Sequence, residues 1–81
     1  MSTIDIIDVN EYYGVTIRAG RQVSPGTWRA EAIIFRSDTR EQVQTLFGSG
    51  GTRRKSENRA KFDAKELISS LGTPDNWQRR Q

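Results

Sequence analysis

The chain contains neither cysteine nor histidine. Without cysteine there is no disulfide framework, no thiolate nucleophile and no thiolate metal site. Without histidine there is no Ser-His-Asp triad and no imidazole general base. A structural zinc site loses both of its usual ligand types. Long apolar runs are missing as well: the longest, residues 32–35, has four residues, far too few to span a bilayer. The first ten residues, MSTIDIIDVN, hold acids but no basic flank and no extended apolar stretch, which argues against a secretory leader. The absence of cysteine fits a reducing compartment, so a cytoplasmic location is expected.

What remains fits into 81 residues with 33% hydrophobic and 28% charged side chains. That is one small domain, lean but able to form a core. A domain of this size buries only about 60% of its unfolded surface, so its stability should be modest. The net charge of +3 is unevenly spread. Residues 1–17 carry −3, residues 18–61 carry +6, and residues 62–81 are balanced. Ten of the thirteen bases are arginine, whose planar fork suits phosphate and carboxylate.

Hydrophobic periodicity orders the chain. Residues 12–19 (YYGVTIRA) alternate, with Tyr13, Val15, Ile17 and Ala19 on one side, which reads as a half-buried strand. Residues 20–27 contain Pro25-Gly26 and read as a turn. Residues 27–36 (TWRAEAIIFR) form a second strand, with Trp28, Ala30, Ala32 and Ile34 on one face and Arg29, Glu31, Ile33 and Phe35 on the other. Residues 37–41 are a polar connection, and residues 42–48 alternate again as a third strand. After a glycine cluster the period becomes helical: Ala60, Ala64, Leu67, Ile68 and Leu71 share one stripe, and Phe62 lies off it. Gly72 with Thr73-Pro74 stops the helix. Its start is either Thr52 or Ser56, both competent N-caps. Residues 1–10 are an extra strand or an arm, and residues 75–81, including Trp77, are expected to fray or fold back. The expected fold is α+β: a three-stranded antiparallel sheet, β-β-β-α, with one C-terminal helix across one face.

The glycine cluster at residues 48–51 is not a nucleotide loop. Both the phosphate loop and the dinucleotide fingerprint, counted from Gly48, require glycine where Arg53 stands. Gly48, Gly50 and Gly51 are therefore expected to form a strand-to-helix turn. The carboxylates Glu31, Glu57, Asp63 and Glu66 show no paired spacing, so neither catalysis nor a cofactor is expected. The segment TRRKSENR (residues 52–59) carries the strongest signal. If the helix starts at Thr52, Arg53, Arg54 and Lys55 fill its first turn against the positive end of the macrodipole. That placement suits an anion such as a nucleic-acid phosphate bound at the helix end. If Ser56 is the cap, the same bases lie in a solvated loop.

Two resemblances bear on these residues. The run GGTRRKSENRAKFDAKELISSLG is similar to the last strand-to-helix junction of double-stranded-RNA-binding domains, with Thr52, Arg53, Arg54, Ser56, Ala60 and Ala64 in matching places and arginines where that family has lysines. YYGVTIR, WRAEAII and KFDAKEL together resemble the AP2/integrase-type DNA-binding domains through Tyr12, Gly14, Val15, Trp28, Ala30, Glu31, Phe62, Asp63 and Ala64. This second resemblance implies major-groove reading by arginine and tryptophan on the exposed sheet face, here Arg18, Arg29 and Trp28. By their own chemistry, Tyr12 and Trp28 serve either as sheet-packing aromatics or as an exposed binding face.

The expectation is a non-catalytic binding module. Nucleic acid is its first partner, held by Arg53, Arg54, Lys55 and Arg59 at the helix and by Arg18, Arg29 and Trp28 on the sheet. The alternative is a small protein-binding inhibitor or adaptor of the phage or mobile-element type. A homodimer joined through Ile4, Ile6, Ile7 and Val9 is a further possibility.

Overall fold

A computed structural model describes residues 7–74. Four strands form one antiparallel sheet in sequential order: β1 (Ile7–Asp8), β2 (Tyr13–Ser24), β3 (Thr27–Arg36) and β4 (Gln42–Gly50). A single helix, α1 (Arg53–Leu71), follows and packs across β2, β3 and β4. The architecture is the expected α+β arrangement, with β1 as a two-residue addition that pairs Ile7 with Val15 and Asp8 with Gly14. No described helix is long and apolar enough to cross a membrane. Ile4, Ile6, Trp77 and the rest of the two termini lie outside the described residues.

Alternation decides which sheet face meets the helix. Val15, Ala30, Ala32 and Ile34 are fully buried beneath α1, and Tyr13 is buried beside them. Leu46 and Ile17 pack at the margin of this core. From the helix, Ala60, Ala64 and Ile68 complete it, three of the residues on the expected stripe. Phe62 is exposed, off that stripe as the helical wheel requires.

Two boundaries depart from the sequence reading. First, β2 does not end at Ala19 but continues to Ser24. The ladder shifts between Arg18 and Arg21, where two residues oppose one, and this bulge hides the continuation from a period-two pattern. The reversal occupies only Pro25-Gly26, with Ser24 paired to Thr27 and Gly26 at φ 76°. Proline followed by a left-handed glycine is the signature of a type II turn.

Second, β4 runs past Gly48, the expected last residue of the third strand, to Gly50, so neither glycine belongs to the strand-to-helix turn. Both are strand residues lying under the helix. A Cβ on Gly48 would fall on the Ala60 backbone, 2.7 Å from its Cα, and one on Gly50 would lie 2.7 Å from Lys55 Cβ. Gly20 on β2 is equally tight against Ser56. The glycines therefore let helix and sheet backbones approach closely, with alanine and serine facing them.

Candidate nucleic-acid interface

The helix begins at Thr52. This residue is extended (φ −139°, ψ 166°), and its side-chain oxygen accepts from the Lys55 backbone N–H at 3.1 Å. Ser56, the other candidate cap, is fully buried, and its hydroxyl donates to the Arg53 carbonyl at 2.7 Å. Arg53, Arg54 and Lys55 consequently occupy the first turn, which holds no acid. Three cations at the positive helix end cost about 0.3–1 kcal/mol each at low salt. Arg53 offsets part of this by lying over the Trp28 ring, 5.5 Å from its centroid. Arg54 and Lys55 are exposed and make no ion pair among the described residues.

The helix-free face of the sheet presents a second set. Strand register places Arg18 opposite Glu31 and Arg21 opposite Arg29. Arg18 Nη1 lies 3.4 Å from Glu31 Oε1, and the Arg29 guanidinium lies 5.7 Å from the centre of the Phe47 ring. Arg21 and Arg29 are like charges directly across a ladder, an arrangement that is unfavourable unless an anion joins it.

These two sets share one end of the molecule. Trp28 pairs with Gln22 and Gly50, and its neighbour Arg29 pairs with Arg21 and Ser49. Successive strand residues point to opposite faces, so Trp28 turns toward the helix and Arg29 toward the open side. The arrangement implied by resemblance, with Trp28 on the exposed face beside Arg18 and Arg29, is therefore not the one found. Instead Trp28 is half-buried and braces Arg53. Arg59 stands apart from the rest, tied to Asp63 at 3.3 Å and lying over Phe62.

Arg21 belongs to the cluster, although the sequence reading assigned it to a turn. The signal that could have found it is the bulge itself: Arg18 and Arg21 face the same side only if one extra residue lies between them. Two carboxylates accompany the six cations Arg18, Arg21, Arg29, Arg53, Arg54 and Lys55. Glu31 is engaged by Arg18, and Glu57 accepts the Gly20 backbone N–H at 2.7 Å.

Asp38 and Glu41 lie in the β3–β4 connection at the opposite end, where Asp38 takes a two-point contact from Arg36 at 2.6 and 2.9 Å. No group of three or more metal-ligating side chains occurs among the described residues. Glu31, Glu57 and Asp63 are each held by a different partner. In comparisons with family models, curated proteins and solved structures, nothing matches this chain.

Proposed function

We propose that the chain is a non-catalytic module that binds the phosphate backbone of a nucleic acid at its basic end. One observation carries this reading. Arginines from β2, β3 and the first turn of α1 converge at one end of the sheet, where the positive end of the helix dipole also lies. Arg54 and Lys55 reach outward from the helix, and Arg18, Arg21 and Arg29 from the open face. A rigid duplex offers a row of phosphates long enough to engage both sets, and counterion release supplies the affinity. Antiparallel strands carrying arginine are also a known way of entering a groove, which agrees with the DNA-binding resemblance.

Fluorescence anisotropy with labelled duplex DNA and duplex RNA tests the proposal. Affinity should fall steeply with salt, and each phosphate contact removed by substitution should lower the log–log slope by about 0.9. Arg21→Glu and Arg54→Glu should each weaken binding, and Arg59→Glu should have the smaller effect. Absence of binding to either duplex at low salt overturns the reading. A nuclease-resistant, stoichiometric protein partner recovered through the same arginines would replace it with the adaptor reading, since aromatic-arginine pairs are also typical of protein interfaces.

A further inference from the structure

The sheet has two edges, and the chain treats them differently. The β2 edge is covered at its start by β1, interrupted by ladder irregularities after Arg18 and Gln22, and lined with charge at Arg18 and Arg21. Those are the usual devices that stop an edge from pairing. The β4 edge has almost none of them. Its sequence, QVQTLFGSG, contains no charged residue and no proline, and its register against β3 runs unbroken from Gln44 to Gly50.

An exposed aromatic side chain flanks this edge on the open face of the sheet. Phe47 is 59% exposed on the open face, and Phe62 is 55% exposed in the helical layer. One flank of α1 is turned toward β4. Glu57 reaches back to Gly20 on β2, whereas Lys55 and Arg59 lie against Gly50 and Gly48 of β4. At about 100° per residue, Arg59 and Glu66 fall on that second flank, whereas Phe62, about 200° from Ala60, points away from the sheet.

We infer that β4 pairs antiparallel with β4 of a second copy, giving a two-fold dimer with a continuous eight-stranded sheet. The occupant follows from the symmetry. Residues 44–50 are the regular part of the edge, and their midpoint is Phe47. A two-fold axis there sets Phe47 against its own copy on the open face. Gly48 lies at the level of Ala60, and Gly50 at the level of Ser56, so one strand residue corresponds to two helix residues. The same axis therefore passes the helix at the level of residue 62. Three or four residues to either side, Arg59 of one copy comes opposite Glu66 of the other. One axis thus aligns Phe47 with its copy and brings an opposite-charge pair together, and an uncharged edge meets an uncharged edge.

The chain lacks cysteine, which makes the register directly testable without nucleic acid. In this dimer Thr45 of one copy faces Ser49 of the other. The T45C/S49C double variant should form a covalent dimer under mild oxidation, and T45C or S49C alone should not. Sedimentation from micromolar to millimolar concentration should show a monomer–dimer equilibrium. Phe47→Lys should raise the dissociation constant about ten-fold while keeping the native circular dichroism spectrum. A chain that stays monomeric throughout overturns the inference. So does a dimer that T45C/S49C fails to cross-link, or one that either single cysteine links equally well.

Discussion

Between α1 and the sheet there is no room for a side chain at several points, and this governs how single residues behave. Gly48 is the tightest of them, because the missing Cβ would occupy the space of the Ala60 backbone. Backbone cannot move aside as a flexible side chain can, so Gly48→Ala should destabilise the fold by about 3 kcal/mol in urea denaturation, at the upper end of overpacking costs. Gly51→Ala is the matched control. The nearest atom to its added methyl is the Gly26 carbonyl oxygen at 3.9 Å, so it should shift stability by no more than about 0.5 kcal/mol. Arg40 presents the opposite case. It holds φ 63° in the β3–β4 connection, where its N–H donates to the Arg36 carbonyl. A left-handed conformation is costly for a residue with a Cβ, so Arg40→Gly should raise stability by about 1 kcal/mol, visible as a higher thermal midpoint.

At the scale of elements, α1 is a helix whose start works against its own stability. Its first turn carries three bases and no acid, while the dipole favours the reverse. Arg54→Glu removes one unfavourable charge and introduces a favourable one. It should therefore stabilise the fold by up to about 1 kcal/mol at low salt, an effect that added salt erases. The same change should weaken duplex binding. Thermal melts and anisotropy on this one variant should move in opposite directions, and a joint loss of both would count against a binding role for the turn.

Elements also differ in how plainly the sequence announced them. The buried stripe Ala60, Ala64 and Ile68 was legible because helical periodicity is a local property of one segment. Tyr13, Val15 and Ile17 were legible for the same reason at period two. The last five residues of β2 were not, since a bulge at Arg18–Arg21 breaks the alternation and Gly20 mimics a turn. Gly48 and Gly50 read as a loop because glycine's second use, admitting another backbone, is visible only once the helix is in place. In the candidate site, Arg53, Arg54 and Lys55 were legible, but their position waited on the choice of cap. The face of Trp28 was legible from parity alone, because Trp28 and Arg29 are adjacent in a strand and cannot share a side.

Among the described residues, charge is polarised along the strands. One end gathers Arg18, Arg21, Arg29, Arg53, Arg54 and Lys55, and the other holds Asp38 and Glu41 beside Arg36 and Arg40. An approaching polyanion would be turned toward the basic end before contact, so substitutions there should lower the association rate as well as the affinity. The glycine–alanine seam has a thermal consequence too. Its largest fully buried side chains are Ile34, Ile68, Val15 and Ser56, so unfolding exposes little bulky hydrocarbon. Calorimetry should give a heat-capacity increment below the usual figure of about 12–15 cal/mol/K per residue. A smaller increment flattens the dependence of stability on temperature. A chain held together by backbone proximity should thus lose little of its stability on cooling and melt over a broad interval on heating.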